Sequence, residues 1–543
     1  MASLSLYGGG AIGNQLAAHL MRRSTYTYSK NDIEAFALKT ADQAVDDLFS
    51  FVAPSIPEPI DFQSGNHWIN LGGAPVSASF HLNRYIKGWW IDEAMKSTSV
   101  EYKMMFFLHT TFTTSVYDHK SEDFWDYLET IRYYVKGSFK EFAIKMSLTN
   151  LMADFLGNRV NFGFSPNDNF AREFLELFTI GKGPQNGPGD YTNYTEDDVL
   201  EATKVFSGWR NGVRTNPAHK DSDTNLNRCY PVFAYHSNVN KQFSSHFQST
   251  TITTATSATD MYRELEDFVD LVFDQLETAR HLARRRYRFF VSSNITSEIE
   301  TDIINPLAQL IYDNNYNLEI GLKALLKSEH FFDMDDSTNG DEIIGGLVKS
   351  PLDLLTTAVS FFQIERPNPV TSSFWHYIQF YHRATLSDTF ENAGFNIFSP
   401  LSVAGYSAYH QSPEYDRNWI HTGTVVPRYK MGGMLISGFR WTANELIGAS
   451  LDVTDFVVNS GYFSDPQNST TLVTEILEYL LPFAADTNRF NYFLNDIFLN
   501  NLSATDWQTE WNNYLSSGND SSVKIPLKNL VESILHSQEF QAF

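Results

Sequence analysis

The chain has 543 residues, of which 42% are hydrophobic and 15% aromatic, a composition that folds around a large core and excludes a disordered chain. Its formal net charge is −24, from 64 acidic against 40 basic residues, and a field of that sign argues against nucleic acid or an anionic membrane surface as partner. The single cysteine, Cys229, rules out an intrachain disulfide and a cysteine-rich metal site, and no apolar run reaches the roughly 18 residues of a transmembrane segment.

The first residues, MASLSLYGGGAIG, lack the basic start and apolar run of a secretory leader, and Arg22 and Arg23 follow the apolar residues instead of preceding them. Apolar residues then recur at helical spacing. Gln15 to Arg23 reads as a short amphipathic helix and Asn31 to Phe49 as a second, with Asn31 as its cap. A proline-marked loop, VAPSIPEPID, follows. Further helices are predicted over 94–114, 121–135, 138–154, 168–181 and 195–209, with Thr195 as the N-cap of the last and an acidic first turn suited to its dipole.

Residues 211–260, rich in Asn, Ser, Thr and His, break the pattern and read as a long excursion holding a short hairpin. Helical spacing returns over 261–291, 300–330, 346–363 and 370–386, and again over 431–448, 472–485 and 524–540. The expected fold is therefore all-α: a large multi-helical body over 1–440, loop-rich at 211–260, with a helical extension at 441–543 packed on it.

The most informative segment runs from Asn167 to Gly181, NDNFAREFLELFTIG. On a helix Asp168, Arg172 and Glu176 recur every four residues, and Asn169 and Glu173 form a neighbouring pair. Arg172 can then bridge carboxylates on both sides, while Phe174, Leu175, Leu177 and Phe178 face the core. Carboxylates crowded beside an arginine suit acid–base chemistry, because burial and neighbouring charge move their proton affinity. The same residues also suit a purely structural ion-pair network.

This segment, followed by Tyr194-Thr195, Asp198-Val199 and Gly208-Trp209, resembles the uncharacterised bacterial family called domain of unknown function 1800. Agreeing pieces are Ala17-Ala18-His19-Leu20 with Arg22-Arg23, Thr278-Ala279-Arg280, Arg286 to Phe290, Lys349-Ser350-Pro351, Phe398-Ser399-Pro400, Val403 to Tyr406, and Trp419, spanning roughly 10–440. The resemblance implies an exported protein, periplasmic or extracellular, and a partner from a sulfatase-like family encoded beside it. Asp168 and Phe178 stand where that family commonly carries Glu and His, so a reaction resting on that histidine does not transfer.

Elsewhere His109 and His119 lie ten residues apart, and His236 and Lys241 share the segment FAYHSNVNKQF. No HExxH or comparable metal spacing occurs, no cofactor fingerprint appears, and no metal ligand is assigned. Arg280, Arg284 and Arg288 share a helical face, read as compensation for the chain's acids, and the acidic run Asp333 to Glu342 reads as a solvated loop. The leading reading is a hydrolase with a carboxylate–arginine site: Glu173 and Glu176 as acid and base, Asp168, Asn169, Arg172 and His236 as substrate-binding residues. Its rivals are a noncatalytic accessory or assembly protein and a glycan-binding protein.

Overall fold

Helix starts in this chain are written in its Ser, Thr and Asp residues. Ser29 with Asp32, Thr40 with Gln43, Thr195 with Asp198, Ser350 with Asp353 and Ser503 with Asp506 each form a reciprocal capping box. Each box satisfies two orphan backbone donors and stabilises its helix by about 1 kcal/mol. The computed structural model describes residues 3–52, 79–116, 119–333, 343–368, 390–438 and 450–543, with short pieces at 371–372, 377, 380–381, 440–442 and 445–446. Helices dominate these residues, and strands are confined to antiparallel pairs of two or three residues each. The fold is all-α.

Several predicted helices are in fact two. The span expected over Asn31–Phe49 divides into Lys30–Ala37 and Ala41–Leu48, because Thr40 caps a new helix and Ser29, not Asn31, caps the first. Residues 138–154 divide at Thr149 into Phe139–Ser147 and Asn150–Phe155. Residues 261–291 likewise hold Asp260–Phe273 and Leu276–Phe290. Apolar spacing runs through such breaks undisturbed, since both halves bury the same side. The helix expected at 431–448 lies earlier, at Val425–Ser437, and the chain continues as a short strand at Arg440–Thr442. The helices Val453–Asn459 and Ala504–Ser517 were not anticipated. Most of the 370–386 candidate, the proline-marked loop beyond Val52 and the acidic run beyond Asp333 lie outside the described residues.

The excursion at 211–260 carries its hairpin character in two ladders, Trp209–Arg210 with Tyr230–Pro231 and Lys241–Gln242 with Thr251–Ile252. It is tied to the Thr195-capped helix by Asp198, whose buried carboxylate accepts from the Ser244 backbone N–H and hydroxyl, both at 2.7 Å. The core beneath is strongly aromatic. Phe170, Phe174 and Phe178 of the central segment meet Phe206, Phe268 and Phe112, with Phe178 stacked on Phe112 at 4.6 Å between centroids. Such pairs add about 0.5–1.5 kcal/mol each beyond area burial. The C-terminus folds back on the body: Gly345 N–H donates to the Phe543 carbonyl at 2.6 Å and Lys349 N–H to that of Gln541 at 2.8 Å. Arg22 and Arg23 of the first helix donate to the carbonyls of Tyr479 and Ile343.

Candidate functional site

The central segment begins as an α-helix at Asn169–Glu173 and continues as a π-helix over Phe174–Phe178. A π-turn leaves backbone carbonyls without their usual partners, and the Thr179 hydroxyl donates to that of Phe174 at 2.6 Å. Such turns are frequent at functional sites. The helix ends at Phe178, and the chain turns at Gly181, whose φ of +76° favours glycine and whose missing Cβ leaves room for the His281 ring. The chain then turns through the Gln185–Gly187 and Asp190–Tyr191 pair and re-enters a helix at Glu196, which returns a carboxylate to the flank of Arg172.

Arg172 therefore bridges two acids, but not the two that helical spacing offered. One guanidinium nitrogen donates to Asp168 at 2.8 Å, and the fork engages both oxygens of Glu196 at 2.8 Å. The hydrogen bond to Glu196 and that to Asp168 hold Arg172 above its ordinary range, and the same bond holds Glu196 below the usual carboxylate range. Glu176 turns to a different cation: Lys182 lies 3.1 Å from its Oε2, and the Tyr194 hydroxyl donates to the same oxygen at 3.5 Å. The Lys182 ammonium also sits 4.4 Å from the centre of the Tyr191 ring.

Glu173 is the member left over. Its side chain is half-buried, and it makes no hydrogen bond or ion pair among the described residues. Burial and the neighbouring charge of Glu176 raise its pKa to about 7, against the opposing pull of Arg172 and Lys182. Asn169 is exposed at the start of the helix, its backbone N–H donating to the Asn167 side-chain oxygen at 3.2 Å.

His236 lies elsewhere. Its side chain, with those of Glu264 and Lys241, is 0% exposed. Nε2 is 3.2 Å from both Glu264 oxygens, Nδ1 is 2.8 Å from the Ser207 carbonyl, and Lys241 is 2.5 Å from Glu264. The Ala255 N–H and the Ser237 carbonyl complete the cluster, leaving no face of the ring for a substrate. Burial favours a neutral Glu264, but the hydrogen bonds from His236 and Lys241 win and hold its pKa low. The two histidines read near the N-terminal third also part company. His109 is buried on the Tyr127 hydroxyl at 2.8 Å, and His119 faces Asp154 at 4.0 Å. Among the described residues no group of three or more His, Cys, Asp or Glu is placed to hold a metal ion.

The sequence thus carried Asp168, Arg172, Glu173 and Glu176 into one neighbourhood and missed Glu196, Lys182 and Tyr194, which complete it. Tyr194 stood in the resemblance and Glu196 in the acidic first turn. The missing signal was the reversal after Gly181. Over residues 19–542 the chain matches the family model described as Protein of unknown function (DUF1800), and it belongs to that family. The match continues past residue 440, where the resemblance read from short motifs stopped. No curated protein and no solved structure matches the chain.

Proposed function

We propose that this member of the DUF1800 family is a hydrolase in which Glu173 and Glu176 divide the acid and base roles. The observation that carries this reading is the half-buried Glu173 carboxyl, without a partner among the described residues and poised near pH 7 beside a second carboxylate. A group in that state is protonated or ionised at little cost near neutrality, as general catalysis requires. Glu173 donates its proton to the leaving atom as the scissile bond breaks. Glu176, paired with Lys182 and hydrogen-bonded by Tyr194, takes a proton from the attacking water. Arg172 orients Glu196 and Asp168 around the helix start, and exposed Asn169 supplies a donor and an acceptor for substrate.

The test pairs a chemical-shift titration with a hydrolysis screen. Glutamate-labelled protein is expected to show one carboxyl titrating near 7 that disappears in Glu173→Gln. A panel of ester, glycoside, amide and phosphate-ester substrates is expected to show one activity lost by about 10²-fold or more in both Glu173→Gln and Glu176→Gln. Ordinary titration of Glu173 near 4.5, with activity unchanged in both folded variants, would overturn the reading.

Noncatalytic glycan binding is favoured by one surface feature. Phe164, 74% exposed, stacks on Phe162 at 5.0 Å, with Tyr235 edge-on to Phe162 at 5.3 Å and Arg210 4.1 Å above its ring. Aromatic faces of this kind suit sugar rings. On this reading Phe164→Ala abolishes carbohydrate retention while Glu173→Gln leaves it intact.

A further inference from the structure

The C-terminal ends of the helices Ser79–Ala94 and Pro351–Phe361 line one cavity of about 380 Å³, together with the 363–368 segment and Thr27. That volume lies at the low end of small-molecule sites, roughly 300–1,000 Å³. No residue of the central-helix cluster lines it.

Its most enclosed charged member is Asp92, whose side chain is 2% exposed. Oδ2 of Asp92 pairs with Lys96 at 2.8 Å and Oδ1 with Arg366 at 3.2 Å, and the Tyr377 hydroxyl donates to Oδ2 at 3.5 Å. The Arg366 nitrogen on this carboxylate also donates to the Asp92 backbone carbonyl at 3.2 Å. Lys96 reaches Glu93 as well, at 2.8 Å. Burial opposes its charge, but the hydrogen bonds to Asp92 and Glu93 win and hold its ammonium above the ordinary range. Both cations thus stand on carboxylates and still meet solvent, Lys96 at 43% and Arg366 at 24% exposure. One buried carboxylate fixes two hydrogen-bond donors at the cavity wall.

The opposite wall is set by the way the second helix ends. Gln363 N–H donates to the Ser360 carbonyl at 3.2 Å and Ile364 N–H to that of Val359 at 3.0 Å, a left-handed helix stop with Gln363 at the turning position. Its φ of +52° is one that glycine adopts freely and a residue with a Cβ does not. The exposed Gln363 side chain lines the cavity at that cost.

We infer that this cavity binds a small, neutral, hydroxyl-rich molecule: a monosaccharide or a cyclic polyol. The charges of its lining cancel, Asp92 and Glu365 against Lys96 and Arg366. Both cations have their counter-charge in Asp92, so an anion finds no unpaired partner there. What the wall offers is a mixture of donors and acceptors: the Arg366 and Lys96 N–H groups, the Gln363 amide, the Ser360 hydroxyl and the Glu365 carboxylate. A hydroxyl both donates and accepts, so a molecule carrying several of them uses both kinds at once. Met95, Val359 and Ile364 supply apolar surface for the C–H face of a ring. The inference is independent of the acid–base assignment of Glu173, and its residues are distinct from the Phe164 surface.

The experiment titrates hexoses, N-acetylhexosamines and inositols into the full chain labelled at its methionine and isoleucine methyls, and separately acetate, phosphate and tetramethylammonium. At least one neutral compound is expected to shift the Met95 and Ile364 signals saturably, and the ions are not; Met95→Leu identifies the first signal. Gln363→Gly, which relieves the backbone, is expected to weaken binding roughly threefold to tenfold without lowering Tm. Arg366→Ala is expected to weaken it about tenfold or more, with Lys96 still pairing Asp92. No saturable shift with any neutral compound, tighter binding of one of the ions, or affinity unchanged in folded Gln363→Gly and Arg366→Ala would overturn the site.

Discussion

Two charged clusters in this protein draw on similar chemistry under opposite conditions. In the cluster of His236, Lys241 and Glu264 the side chains are fully enclosed, and protein atoms meet the carboxylate on both oxygens. Around the central helix Arg172, Asp168 and Glu196 are about a third exposed, and one carboxyl, Glu173, is left without a partner among the described residues. Enclosure turns charge into architecture, because every group must be matched or folding fails. Partial exposure with an odd member leaves a group free to exchange a proton. The comparison separates enclosed from partly exposed charge more sharply than residue type, since both clusters mix acidic with basic side chains.

Breaking the enclosed cluster is expected to have the largest effect. Glu264→Ala leaves the buried Lys241 ammonium without its counter-charge and is expected to destabilise the fold by about 3–5 kcal/mol, read by denaturant unfolding. The paired substitution Glu264→Gln with Lys241→Met is expected to recover a large part of that loss, because removing both charges removes the desolvation penalty as well. Equal losses in the single and double variants would mean that packing, not charge, holds this region.

A smaller loss is expected at the exposed cluster. Arg172→Gln removes two ion pairs with considerable solvent access, and roughly 0.5–1 kcal/mol is expected. A loss as large as that of Glu264→Ala would erase the distinction between the clusters.

The stability effect of Glu173→Gln depends on pH. The folded-state pKa of Glu173 is raised from 4.5 to about 7, so its stabilising contribution is fully present below 4.5 and is lost as pH rises through about 7. The stability of the natural protein relative to Glu173→Gln should therefore fall between those values and level off above them. Above pH 8 the variant is expected to melt about 1 °C higher. A flat difference across this window would place the raised proton affinity on another residue.

The sequence had the helical body right and the joints between helices less so. Thr195 was legible as a cap because capping is local: its hydroxyl and Asp198 satisfy each other across three residues. Thr40 carried the same kind of signal inside an apolar pattern that continued across it, and periodicity masked the break there as it did at Thr149. At the site, Arg172 with Asp168 followed from four-residue spacing, whereas Arg172 with Glu196 spans 24 residues and a chain reversal. His236 shows the converse. It reads as a substrate-binding candidate in a segment shared with Lys241, and Glu264, 28 residues on, draws both into the core.

What the sequence determined by itself is what short-range geometry controls: an all-α chain, its capped helix starts, and a central helix with alternating acid and base on one side and phenylalanines on the other. Tertiary structure alone decided which charges are paired, which are enclosed and which are left over. Those outcomes depend on desolvation and on partners brought together from distant segments, and neither leaves a periodic mark in the sequence.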